Sequence, residues 1–174
     1  MERRHPLIED NVSLLRQGIE LIERVGDALY ANARPPCMES GVGGHFRHCI
    51  DFYNRFLSSF STGRINYLLR PRNPLVETSR RLAVAEVEAI IEKLRRLSPG
   101  DLQSDVQVIA EDFSGPLDAM AWSRSSVMRE LQSLLGHTVH HYAMIALALR
   151  LQGFEPAAEF GVAPSTLAYW RRTA

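Results

Sequence analysis

Apolar residues recur at three- and four-residue steps along most of this chain, the spacing that gives a helix one apolar face. Leu14, Leu15, Gly18, Leu21, Ile22, Val25 and Leu29 form the first stripe and predict a helix from about Leu7 to Ala31. Residues 32–39, interrupted by Pro35 and Pro36, predict a loop. A second helix is predicted over 42–59, with Phe46, Cys49, Ile50, Tyr53, Phe56 and Leu57 on its apolar side. His45, His48 and Asp51 fall on a neighbouring ridge of that helix. Gly63, Pro71 and Pro74 punctuate segment 61–76, which reads as an ordered loop. A third helix is predicted over 77–97 on Leu82, Ala85, Ala89, Ile90 and Leu94, ended by Ser98-Pro99-Gly100.

The pattern then changes. Residues 105–111 lean toward strand, Ser114-Gly115-Pro116 turns the chain, and 119–123 can return as a second short strand. Two strands alone are marginal, so the hairpin must lie against helices. Ser123 or Ser125 is expected to cap the longest helix, with Glu130 early in it and its end near Leu151 and Gly153. Val127, Leu131, Leu134, Leu135, Thr138, Tyr142, Ile145 and Leu149 make its apolar ridge. The predicted architecture is all-α: a four-helix bundle with a small β-hairpin before the last long helix and a short helical tail. No repeat or linker divides the chain, so residues 1–174 are expected to form one domain.

Composition narrows the partners. Twenty basic and twenty acidic residues give a formal charge of zero, which supplies no general attraction to nucleic acid or an anionic membrane. The two cysteines, Cys37 and Cys49, are too few for a disulfide scaffold and lack Cys-x-x-Cys spacing. Cys49 is expected as a small buried hydrophobe. No apolar signal core follows the charged start, and the stretch 142–149 is too short to span a bilayer, so a cytoplasmic location is expected.

Candidate chemistry lies in the histidines. Five of the six fall in two clusters, His45/His48 and His137/His140/His141. His137 and His141 stand one turn apart and roughly 40° around the helix axis, so both rings can reach one ion. His140 lies roughly 60° to the other side of His137, where it could be a supporting donor, a pocket wall or an acid/base group. The second helix supplies a third imidazole, and spacing alone does not choose between His45 and His48. Asp51, three residues after His48, could orient that imidazole or take a further coordination position, which favours His48. Three neutral imidazoles leave a metal with open positions, an arrangement suited to chemistry more than to structural stapling. Zinc or nickel is expected first, and iron(II) or manganese would also be accepted. The competing reading is a set of core or solvent-facing histidines satisfied by hydrogen bonds. Two matched clusters on two helices weigh against it.

The run His-Phe-Arg-His-Cys-Ile-Asp at 45–51, followed by Glu-Leu-Gln-Ser-Leu-Leu-Gly-His-Thr-Val-His-His at 130–141, resembles the DinB/YfiT-like superfamily of metalloenzymes. The resemblance extends from the first helix through the fourth. It implies a bundle in up-down-down-up order, often a homodimer, with one divalent metal on His48, His137 and His141. Through relatives that use bacterial thiols, including thiol-S-transferases and a mycothiol-dependent maleylpyruvate isomerase, it implies a small thiol delivered to an electrophile. His45 or His140 would then move the proton, and Asp51 would orient or add a ligand. Tyr53, Tyr67, Arg70 and Arg72 would line the pocket or its rim, arginine being suited to carboxylates. A hydrolase with a metal-activated water and a non-catalytic metal-binding or stress-related protein are the alternatives. The tail over 158–172 imitates a helix-turn-helix reader. With no basic footprint and no small helical unit around it, no nucleic-acid partner is expected. Phe160, Val162, Leu167, Tyr169 and Trp170 are expected instead to cover one end of the bundle or form a dimer contact.

Overall fold

The computed structural model describes residues 5–32, 40–110 and 122–173. Helix α1 (Pro6–Arg24) opens on a proline, whose missing N–H costs nothing at the first helical position, and His5 Nδ1 accepts the Leu7 N–H. The single helix expected to run to Ala31 is broken. Val25 is extended, at φ −78° and ψ 142°, and a short α2 (Asp27–Asn32) follows Gly26. Arg80 explains the break. Its guanidinium donates to the carbonyls of Ile22, Glu23 and Val25 and pairs with Asp27, satisfying the carbonyls that the end of a helix leaves open.

Helix α3 (Val42–Ser59) has the predicted bounds. Helix α4 (Arg80–Arg95) begins three residues later than expected, because Ser79 Oγ caps Leu82 N and Pro74–Glu77 form a separate 3-10 turn. Its buried face is Ala83, Val87, Ile90, Ile91 and Leu94, while Ala85 and Ala89 are exposed. Alanine fits either face of a helix, so it misplaced that stripe. After the short α5 (Pro99–Leu102), α6 (Val127–Arg150) is capped by Ser126 rather than Ser123 or Ser125. Both of those serines belong to a strand. Helix α7 (Pro164–Thr173) closes the described chain.

Among the described residues three strands accompany the helices in the order β1 (Arg64–Asn66), β2 (Asp105–Ile109), β3 (Ser123–Ser126). The expected hairpin is present as antiparallel β2–β3, with Asp105 opposite Ser126 and Val108 opposite Ser123. Its return strand lies later than predicted, and 111 and 119–121 fall outside the described residues, as do the turn at 114–116 and Cys37. Strand β1 comes from the segment expected to be loop. It pairs parallel with β2, Ile65 opposite Val108, after a left-handed turn at Gly63 (φ 74°).

Contacts between helices give the topology. Asn11 reaches Leu131 O, Gly18 meets Tyr142 and Arg24 reaches Glu155 O, so α1 and α6 run parallel. His45 faces His141 and His48 faces His137, so α3 is antiparallel to α6. Arg47 pairs with Glu77 and Asn54 with Glu86, so α4 follows the direction of α3. The order is up-down-down-up, with residues 60–79 forming the crossover. No described helix is long and apolar enough to cross a membrane.

Tyr30, Phe46, Tyr53, Phe56 and Tyr142 are the bulkiest fully buried side chains of the core. Cys49 is buried as expected, and burial pushes its thiol up to about 12. Gly18 allows α1 to approach the Tyr142 ring. A Cβ there would stand 2.1 Å from Tyr142 Oη and 3.1 Å from Phe46 Cε1. Gly18→Ala should therefore lower unfolding stability by about 1–3 kcal/mol through overpacking. In a denaturant double-mutant cycle, Tyr142→Phe should recover part of that loss, since it removes the nearest clashing atom. Additive losses would show that the two positions do not share the space.

Candidate metal centre

The centre is built where α3 and α6 cross. Running antiparallel, the two helices set the pair His45/His48 against the pair His141/His137. His48 Nε2 lies 3.2 Å from His137 Nε2, which lies 2.9 Å from His141 Nε2. The ligand atoms of His48, His137 and His141 all fall within 4.8 Å of one another, and among the described residues no other trio of His, Cys, Asp or Glu does so. Nitrogens held at about 2.0–2.1 Å from a tetrahedral ion stand roughly 3.3–3.4 Å apart, close to these separations. The donor set also fits a cation chemically. His137 Nε2 sits between two other Nε2 atoms, and in the Nδ1–H tautomer all three rings turn a lone pair toward a common point.

Burial keeps those rings neutral. Desolvation is the leading cause that holds His48 down to about 3, His137 to about 4 and His141 to about 3. Neighbouring imidazoles and the Arg70 guanidinium add to it for His48 and His137. Three deprotonated imidazoles are what a divalent transition metal requires.

The remaining candidates separate clearly. His45 Nδ1 lies 2.9 Å from His141 Nδ1, so its contact is with the outer nitrogen of His141. A metal held on His141 Nε2 would leave the proton on Nδ1, which would then donate to His45, the support a metal-bound histidine normally has. His140 is exposed, its ring 5.3 Å from that of His141. Asp51 was expected to orient His48 or bind metal. Instead its buried carboxylate accepts from Arg47 Nη1 at 2.9 Å and from the Asn73 N–H, and Arg47 also pairs with Glu77. Burial raises the Asp51 pKa and Arg47 opposes the rise. Its place is between α3 and the crossover.

A cleft of about 520 Å³ opens beside His137. Phe52, Tyr67, Val108, Arg129 and Glu130 contribute to its lining. Of the four expected pocket residues, Tyr67 lines the cleft. Arg70 stacks 4.5 Å over Phe52 and donates to Tyr67 O. Tyr53 is fully buried and donates to Asn11 Oδ1, and Arg72 is exposed. Arg70, Tyr53 and Arg72 do not line the cleft. Sequence reasoning read Glu130 only as an early residue of its helix and gave Arg129 and Phe52 no role. A carboxylate on the inward ridge, one residue before Leu131, was the available signal.

These elements define a class: an up-down-down-up bundle with a histidine trio at the contact of two long antiparallel helices. A solved structure of a DinB-like protein, YjoA from Bacillus subtilis, is similar to this chain with a TM-score of 0.61. The similarity covers 86% of this chain and 92% of that one, at 15% sequence identity. The chain therefore has the DinB-like fold that its histidine motifs imply. No protein-family model and no curated protein matches it in sequence.

The depressed histidines make a pH test. Each has a folded pKa below the ordinary value of about 6.5, so between the two the unfolded state binds more protons and acid favours unfolding. Metal-free protein should lose stability as pH falls from about 6.5 toward 4. Urea midpoints in chelator should drop less in His48→Phe than in the parent. Equal drops would mean that the rings contribute nothing to the acid sensitivity.

Proposed function

We propose that His48, His137 and His141 bind one divalent transition metal, and that the chain uses it to activate a small thiol held in the adjoining cleft for transfer to an electrophile. The observation that carries the reading is the convergence of three neutral imidazoles at the edge of a cleft that shares His137. Zinc or nickel bound there would supply a positive charge that lowers the pKa of a coordinated thiol or water.

The chain's own groups have distinct tasks. His45 holds His141 through its outer nitrogen and so fixes the ring that reaches the centre. Phe52 and Val108, both buried, keep the inner cleft dry and strengthen any charge interaction within it. Exposed His140, beside His141, is placed to pass a proton between the centre and solvent. Arg70 and Arg129 supply cationic donors for a carboxylate of the thiol or electrophile.

Protein made without an affinity tag should carry one metal ion per chain, and a His137→Ala/His141→Ala variant should carry none. Zinc should raise the unfolding temperature of the chelated parent and leave the variant unmoved. His45→Phe should keep the site but weaken zinc affinity about 10–100-fold. Equal metal content in parent and double variant would reject the centre.

Turnover is tested by offering glutathione, bacillithiol, mycothiol or water with electrophilic and ester substrates to metal-loaded and metal-free protein. Conjugation should need both a thiol and the metal, and it should collapse in His48→Ala. His140→Ala should slow it with metal content intact. Metal-dependent turnover with water alone would replace the transferase reading with a hydrolase. Absence of turnover across the panel would leave a non-catalytic metal-binding protein.

A further inference from the structure

Glu130 is 7% exposed, yet it is one of the residues that line the cleft. Its two oxygens accept hydrogen bonds from neutral hydroxyls: Tyr67 Oη at 2.9 Å on one and Ser125 Oγ at 2.6 Å on the other. It forms no ion pair with a described lysine, arginine or histidine. Each carboxylate oxygen has room for a second donor, so the two hydroxyls leave acceptor capacity unused. A buried carboxylate without a counter-charge is costly, and the cost falls when a cation reaches it. The contrast with Asp51 is direct, because that buried carboxylate already has Arg47.

The walls beside Glu130 point the same way. Tyr67 and Phe52 stack with ring centroids 5.1 Å apart, and both line the cleft. The Arg70 guanidinium already sits 4.5 Å over Phe52, so the rings serve as an apolar wall next to the carboxylate, and the charge of Glu130 is what draws an ammonium. Val108 and Leu134 give the cleft an apolar side for the body of such a molecule. The cleft's volume of about 520 Å³ is in the range of small-molecule sites.

We infer that the inner cleft recognises a primary ammonium group through Glu130, so that the molecule acted on at the histidine centre bears an amine beside an apolar or aromatic body. The inference rests on reading this cleft as the substrate site of that centre. Glu130 is here a specificity-determining residue. Tyr67 and Ser125 are positioning residues that hold its carboxylate with its free acceptor sites toward the cleft.

The test uses phenethylamine, phenethyl alcohol and phenylacetate as probes, titrated by calorimetry or NMR into the full-length chain, metal-free and zinc-loaded. In the metal-free chain phenethylamine should bind at least about tenfold more tightly than the alcohol, the preference a charge-assisted hydrogen bond supplies. Phenylacetate, which the arginines and zinc can also attract, serves as the control for that competing charge. Glu130→Gln, which keeps shape and removes charge, should abolish that preference while zinc content stays at the parent level. Tyr67→Phe should keep it, since the ring remains and the carboxylate loses a competing donor. Equal binding of amine and alcohol to the parent would overturn the inference whether or not the variants fold. An undiminished amine preference in Glu130→Gln would overturn it too. Amine recognition without zinc binding would sink the metal reading alone, whereas zinc binding without amine preference would sink this inference alone.

Discussion

Everything at the centre depends on one constraint: half-buried imidazoles between two helices must face each other in their neutral form. Helical rise is about 1.5 Å per residue, so His45 to His48 advances about 4.5 Å along α3 and His137 to His141 about 6 Å along α6. Because the helices are antiparallel, the steps run against each other and the pairs meet in reverse order. The register that brings the rings together is set elsewhere in the core. Phe46 packs on Tyr142 at 5.5 Å between centroids. Asn11 joins three helices, donating to Leu131 O and accepting from Tyr53.

Most of the helical frame was legible because apolar periodicity is a local property. The helix at 42–59 and the ridge from Val127 to Leu149 follow from spacing alone, and so does the approach of His137 to His141. What failed depended on partners distant in sequence. No pattern near Val25 reveals that Arg80 will claim the carbonyls around it and end α1. Strand β1 is three residues long and exists by pairing with β2, some forty positions later, so a local reading sees only loop. The stripe of α4 was misplaced because alanines carry no strong preference for either face. Motif order supplied the helix topology, which periodicity could not.

The site residues divide on the same line. The histidine trio was readable as two spaced clusters, and its convergence could be anticipated. Asp51 was assigned to His48 on proximity along one helix, but its charge is answered by Arg47 one turn back and by the Asn73 N–H of the crossover. That crossover is fastened further by Arg47 to Glu77 and by the Tyr30 hydroxyl on Val76 O at 2.7 Å. The fastening has a consequence for chemistry, since the crossover carries Tyr67 to the cleft and Arg70 onto Phe52 in its wall. Asp51 thus acts on the site through the segment it holds, at a distance no spacing rule contains.

Charge accounting links the centre to its cleft. A trio of neutral imidazoles brings no negative charge to a divalent ion, so compensation must come from the surroundings or from what binds there. Asp51 and Glu130 are the buried carboxylates among the described residues. Asp51 is committed to Arg47, which leaves Glu130 as the buried carboxylate of the cleft without a cationic partner. Arg70, stacked on Phe52, and exposed Arg129 add positive charge nearby. With a divalent ion in place, this region carries an excess of positive charge in a partly dry setting. Such a field favours the anionic form of whatever ligand meets the ion, and a thiolate satisfies that demand where a neutral donor would not. On the inference drawn above, Glu130 would draw the opposite charge along the same cleft. A molecule with an acidic thiol at one end and an ammonium at the other is complementary to both features, and the separation of the two demands along α6 would fix which end meets the metal.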